Sequence, residues 1–311
     1  MSRTFAEHLE RYGPQARYRI PTPGEAQMYC TQLAVTHYEN FSVASVLLPR
    51  RLLRHFHNVY AYCRWADDLA DETGGGPEAL RLLRWWRDQL RTCYHGTPQH
   101  PVMVALKQTI ETFGIPPKPF EDLLFAFEQD QLVPRYATYV QLLAYCKNSA
   151  NPVGHLVLYL CGVFNDERAK LSDHVCTALQ LANFWQDVAR DFEIGRVYLP
   201  EEDRRRFGYR DDDLEARRFT PAFAALMEYE VERTRDLFYR GFPLVEKMPA
   251  DLRGDIDLFI QGGLGILTKI EKQGYDVWTR RPELSKWEKG WLVLKALGRR
   301  VWTGWRGRAA S

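Results

Sequence analysis

Tyr60-Ala61-Tyr62-Cys63-Arg64-Trp65-Ala66-Asp67-Asp68-Leu69-Ala70-Asp71-Glu72 decides how this chain is read. Wound as a helix, it sets Tyr60, Arg64, Asp67, Asp68 and Asp71 on one face, because residues three and four apart are helical neighbours. Three carboxylates beside one guanidinium repel one another unless something neutralises them. A hard divalent cation does so, since Mg2+ takes oxygen ligands and binds through carboxylates plus substrate phosphates. Far downstream, Gln180-Leu181-Ala182-Asn183-Phe184-Trp185-Gln186-Asp187-Val188-Ala189-Arg190-Asp191 repeats the pattern, with Gln180, Asn183, Asp187 and Asp191 on a shared face. Either stretch alone is more simply a solvated acidic helix side. Two such faces, each flanked by apolar residues, point further. Opposed across a helical cavity, they would hold metal ions and a diphosphate, which would become a leaving group whose charge the metals absorb.

The 311 residues suffice for one large domain or two small ones, and a hydrophobic fraction of 45% supports a sizeable core. A net charge of +2 gives no global case for nucleic-acid binding. The six cysteines (30, 63, 93, 146, 161 and 176) form no CxxC pair and no zinc-like spacing with histidine. Reduced, buried thiols in a cytoplasmic protein are therefore expected. The eight histidines include no HExxH. The opening MSRTFAEHLERYG lacks an apolar h-region, so no signal peptide is read. No uninterrupted apolar run is long enough to span a bilayer.

Residues 1–23 are polar, contain Pro14, Pro21 and Pro23, and are expected to form a partly disordered arm. Helices are expected over 24–38, from Pro49 through the first acid face to Gly74-Gly75-Gly76, and over 77–95, 99–113 and 117–130. The stretch 138–161 is apolar-periodic but contains Pro152, which predicts a kink. Gly154 then permits close approach of a neighbouring helix or a ligand. A helix over 174–192 carries the second acid face. A polar loop with a short helix fills 193–210, and long helices follow over 220–247 and 252–280. Gly262, Gly263 and Gly265 imply tight packing or room for substrate. Without period-two alternation, repeats or low-complexity linkers, the expectation is all-α: one helical domain over 24–297 around a central cavity, with a basic Trp/Arg tail at 298–311.

Asp67-Asp68-Leu69-Ala70-Asp71 with Arg64, and Asn183 with Asp187 to Asp191, resemble the paired aspartate motifs of the squalene/phytoene synthase family. So do HYENFSVASVLLP (37–49), YCKNSANPVG (145–154) and GRVYLP (195–200), in the same order. The likeness runs from about residue 30 to about 290. It is greatest to the hydroxysqualene synthase branch of bacterial hopanoid biosynthesis, through Glu39-Asn40-Phe41, Ser149 to Gly154 and Asn183 to Asp187. The resemblance implies a class I isoprenoid synthase-like helical bundle using more than one Mg2+ ion, held by Asp67, Asp68, Asp71, Asn183, Asp187 and Asp191. For Asn183 a capping or core hydrogen bond fits equally. Arg64, Arg196 and Tyr198 become candidates for diphosphate contacts, arginine offering a donor fork and tyrosine one hydroxyl. A salt bridge from Arg64 to its own helix is the other reading. Phe41, Tyr145 and Phe184 become candidates for the hydrocarbon pocket, where ring faces stabilise a passing cation; Trp185 is more simply core. Gln180 orients water or completes a polar network, and His37 lies near the diphosphate end or is a structural histidine. Tyr38-Glu39-Asn40, Asn151-Pro152 and Gln186 depart from the carotenoid-type pattern; relatives often carry arginine at the last position.

The implied reaction is magnesium-dependent conversion of presqualene diphosphate and water to hydroxysqualene and diphosphate. The alternatives are head-to-head condensation of two farnesyl diphosphates to presqualene diphosphate or squalene, and an inactive relative serving binding or assembly. No GxGxxG lies between a strand and a helix, so no nicotinamide cofactor (NADPH) site is evident. The prenyl diphosphate substrate is the implied partner, with neighbouring pathway enzymes as further ones. Trp287, Trp291, Leu294, Val301 and Trp305 fall near one helical stripe, and seven basic residues stand against one acid from Lys286 to Ser311. That pattern suits either peripheral contact with the inner face of a membrane or a helix packed on the core with a solvated tail.

Overall fold

A computed structural model of the protein describes residues 5–36, 49–285 and 288. Among them the chain is all-α, with one isolated bridge between Arg135 and Val197. The fold divides into two compact units, residues 1–132 with 155–164 and residues 133–154 with 165–311.

The first unit contains α1 (Phe5–Tyr12), α2 (Pro23–Thr36), α3 (Arg50–Asp71), α4 (Gly76–His95), α5 (Pro101–Phe113) and α6 (Lys118–Asp130). Within the arm expected over 1–23, residues 5–12 form a helix and 13–22 follow as turn and coil. Phe5, Leu9 and Tyr12 recur at helical spacing; Phe5 is 7% exposed and meets Trp65 edge-on at 5.1 Å, while Tyr12 meets Tyr29 at 5.3 Å. Burying that stripe outweighs the polar residues between. Pro49 opens α3 as expected, and Gly74, Gly75 and Gly76, at φ 88°, 71° and 59°, turn the chain into α4. The core centres on Trp65 and Trp86, stacked at 5.2 Å, with His100 edge-on to both at 4.5 and 4.8 Å. His100 also caps α5, its Nδ1 accepting the Val102 N–H, and burial keeps its imidazole neutral.

In the second unit, α7 (Tyr139–Ser149) opens on a capping box between Thr138 and Gln141. The kink expected at Pro152 is a complete break. Helix α7 ends at Ser149 with Ala150 as its C-cap, and α8 (Asn151–Leu160) starts anew with Pro152 in its first turn, where its missing N–H costs nothing. The residues of α8 from His155 onward belong to the first unit. Next come α9 (Asp166–Glu193), α10 (Glu201–Arg206), α11 (Asp211–Glu215), α12 (Pro221–Gly241), α13 (Leu244–Lys247) and α14 (Arg253–Lys272). Helix α9 begins well before His174 because Asn165 caps it, accepting the Arg168 N–H at 2.8 Å. The helix expected over 220–247 breaks at Phe242-Pro243. The one expected over 252–280 stops at Lys272, where Gly274 and Tyr275 both take positive φ.

Helix α9 packs on α12 and α14. Helices α12 and α14 also pack on each other, so closely at Gly263 that a Cβ there would lie 2.2 Å from Phe238. At Gly154 a Cβ would lie 2.2 Å from Ser172 Oγ and 2.6 Å from Cys176 Sγ on α9, the close helix approach that the glycine foretold. Gly154→Ala is therefore expected to cost about 1–3 kcal/mol through overpacking, read by urea unfolding.

An ionic cluster is buried in this unit. Arg233 donates to Glu230 and Asp203 at 2.7 Å each and lies 3.5 Å from the Tyr139 ring centroid. Glu230 has no exposure, and burial pushes its carboxyl up to about 8; Arg233 opposes the shift and Asp203 adds to it. The cysteines are free thiols, as their spacing led us to expect, with Cys30, Cys93 and Cys146 buried. No helix among the described residues is long and apolar enough to cross a membrane. The basic, tryptophan-rich segment from Lys286 onward lies outside the described residues, Glu288 excepted.

Candidate functional site

In the first unit α3 presents the acid face that the sequence laid out. Tyr60 and Arg64 are half-buried, Asp68 is 3% exposed, the Asp67 side chain is 46% exposed and Asp71 stands in solvent. Arg64 is held by its own helix: Nη2 contacts Asp68 and lies 3.3 Å from Glu72, and Nη1 is 3.5 Å from Asp67. Its salt-bridge reading is thus realised. Burial pushes the Asp68 carboxyl up to about 7 even though Arg64 pulls it down. One guanidinium does not settle this face electrostatically, and an additional cation would favour ionised Asp68. His37 and Phe41 lie outside the described residues. A cavity of about 590 Å³ in this unit is lined by His8, Arg11, Tyr12, Arg19, Tyr29 and Gln32, none of them an expected site residue.

In the second unit α9 carries the other acid face. Asp187 is buried, and Arg281 grips both of its oxygens, Nε to Oδ1 at 2.5 Å and Nη2 to Oδ2 at 3.0 Å. Asp191 is half-buried, and its carbonyl accepts the Arg196 N–H at 2.8 Å. Asn183 is exposed on the same helix. Gln180 is half-buried. Trp185 is core, as expected: it has no exposure, and its indole N–H donates to Thr234 Oγ1 at 2.8 Å. Arg281 escaped the sequence reading. It lies 94 residues from Asp187 with no pattern tying the two together.

Beside this face the aromatics gather. The rings of Phe184 and Tyr198 stack at 3.7 Å, and Tyr145 lies 5.9 Å from Tyr198 and 6.1 Å from Phe184. Tyr136 extends the group, 5.9 Å from Tyr198. Tyr198, expected as a diphosphate donor, is 7% exposed and belongs to this stack. A small cavity joins it to the acid face, lined by Phe184, Asp191, Arg196, Tyr198 and Trp278.

The donors expected for a metal are carboxylates and one amide, hard oxygens that suit Mg2+ and not a thiophilic ion. Among the described residues no three His, Cys, Asp or Glu side chains form a metal-holding cluster. Guanidinium groups compensate both acid faces, Arg64 on one and Arg281 on the other. The donor chemistry fits magnesium, and each face already attracts a cation.

A family model described as squalene/phytoene synthase matches residues 34–288. The phytoene synthase of Thermus thermophilus is 34% identical over 260 residues, covering 84% of this chain and 88% of its own. A 15-cis-phytoene synthase of Synechocystis is 30% identical over 83% of this chain and 80% of its own. Among solved structures, the squalene synthase HpnC of Alicyclobacillus acidocaldarius matches with a TM-score of 0.78 and 42% identity, covering 80% of this chain and 94% of that one. A dehydrosqualene synthase solved with a ligand matches with a TM-score of 0.78 and 26% identity, covering 89% and 96%.

Proposed function

This chain belongs to the squalene/phytoene synthase family, and from that premise we propose that it converts presqualene diphosphate and water, with magnesium, to hydroxysqualene and diphosphate. The observation carrying the choice of a squalene-type route is the 42% identity to the HpnC structure, against 34% to the Thermus phytoene synthase. Capture by water, as the final step, is supported by the departures at Tyr38-Glu39-Asn40, Asn151-Pro152 and Gln186. In the second unit two of these have structural work: Asn151 accepts from Thr177 at 2.9 Å, and Gln186 donates to the Pro282 carbonyl.

The C–O bond to diphosphate breaks, the cyclopropylcarbinyl cation rearranges, and the oxygen of water adds and loses a proton. Asp67, Asp68 and Asp71 on one face, and Asn183, Asp187 and Asp191 on the other, are the residues that would hold magnesium, which would supply positive charge to the departing diphosphate. Arg196 would add a guanidinium donor for diphosphate oxygens, while Arg64 is engaged by Asp67, Asp68 and Glu72. The faces of Tyr145, Phe184 and Tyr198 stabilise the cation without trapping it. Gln180, half-buried on the helix face of Asn183 and Asp187, orients the attacking water.

Condensation of two farnesyl diphosphates is the second reading, favoured by the phytoene synthases among the relatives and by the squalene synthase description of HpnC. Purified protein with magnesium and no nicotinamide cofactor separates the two. Hydroxysqualene from presqualene diphosphate, with little from farnesyl diphosphate, is the expected result by mass spectrometry. Presqualene diphosphate accumulating from farnesyl diphosphate moves the protein to the condensing step, and silence with both substrates overturns the enzymatic reading.

A further inference from the structure

Beyond α14 the chain runs as a strap, residues 276–285, pinned at three places. Gln273 Nε2 donates to the carbonyls of Asp276 and Arg280 at 2.8 and 3.1 Å. Leu284 rests on Gly265, where an added Cβ would lie 3.1 Å away. Between these points Gln186 Nε2 donates to the Pro282 carbonyl at 2.5 Å, and that contact sits one residue from Arg281. Arg281 in turn shares itself between Asp187 and Glu283, the latter at 3.0 Å. Arg281 and Pro282 are neighbours on the strap, as Gln186 and Asp187 are on α9. The amide contact and the ion pair are therefore two rungs of one seam.

A guanidinium and a divalent cation compete for the same carboxylate. Asp187 is 9% exposed, and Arg281 occupies both of its oxygens. A cation reaching this acid face through Asp187 must displace Arg281, so the face binds a cation only as readily as the strap lets go. From this seam we infer that Gln186 is a positioning residue. Its amide holds the strap so that Arg281 serves as a releasable counter-ion on Asp187, and the pair sets the divalent-cation affinity of the second acid face. The inference rests on the magnesium reading above. It gives Gln186 a task of its own.

The test uses the full chain with Mn2+ as a paramagnetic stand-in, free ion counted by electron paramagnetic resonance, together with hydrogen exchange of the strap amides. Arg281→Gln is expected to lower the Mn2+ concentration for half-saturation about tenfold. Gln186→Met keeps the size of the side chain but lacks a donor. It is expected to speed exchange at Leu284 and Ser285 and to shift half-saturation the same way by a smaller factor. The double variant should match Arg281→Gln alone, since both changes act through one contact. A purely space-filling Gln186 predicts strap exchange unchanged in Gln186→Met, and that result overturns the inference, as do additive effects in the double variant. Mn2+ binding unmoved by Arg281→Gln also overturns it while sparing the magnesium reading. No Mn2+ binding by any variant removes the magnesium reading and the counter-ion role together.

Discussion

Asp71→Ala is expected to lower product formation by about 100- to 1,000-fold, the loss that follows removal of one group stabilising charge in a transition state. Its thermal stability should stay within about 0.5 kcal/mol of the parent. The contrast comes from where Asp71 sits. It is exposed at the last residue of α3, so its truncation opens no cavity in the core. A carboxylate at a helix C-terminus is, if anything, opposed by the helix dipole. Asp68 would be a poorer probe, because it is buried against Arg64 and its removal disturbs that contact. Rates at saturating magnesium, paired with thermal melts, check the expectation. Activity within threefold of the parent would place the chemistry away from this face.

Stability is expected to fall as pH rises from about 5 to 8 because of Glu230, and then to level off. Its carboxyl is pushed up to about 8 in the fold, from an ordinary value of 4.5, by burial. Below the ordinary value both states are protonated and nothing is lost. Between the two values the unfolded chain has released the proton while the folded chain keeps it, so the unfolded state binds fewer protons and stability declines with pH. Glu230→Gln removes that linkage. Its advantage over the parent should be on the order of a few kcal/mol at pH 8–9 and vanish near pH 4. Asp203 remains as a partner for Arg233 in the variant. Urea unfolding of both proteins from pH 4 to 9 decides the matter, and parallel curves would contradict it.

Most helix limits were legible because glycine and proline mark them chemically: Pro49 before α3, the Gly74–Gly76 run and Gly114 after α5. The acid faces were legible because helical spacing is a local rule. The N-terminal helix was missed although Phe5, Leu9 and Tyr12 already carry its apolar stripe; the nearby prolines drew the reading towards an arm. Pro152 was weighed as an interior residue, whereas a break at Ala150 makes it a first-turn residue, and only the backbone reveals that. The ring stack around Tyr198 and the grip of Arg281 on Asp187 were out of reach for another reason. Both join distant segments, and periodicity carries no information about partners that only tertiary packing selects.

The free thiols amount to a set of sentinels. Burial pushes Cys63, Cys93 and Cys146 up to about 12 and Cys176 to about 11, and raises Cys30 as well. The nucleophile in thiol chemistry is the thiolate, so these sulfurs stay silent towards alkylating reagents until the chain around them opens. Cys30, Cys63 and Cys93 report on the first unit, Cys146 and Cys176 on the second. Peptide-resolved alkylation rates therefore yield two opening free energies from one unlabelled protein. They show which half of the chain loosens first under heat, denaturant or withdrawal of a cation.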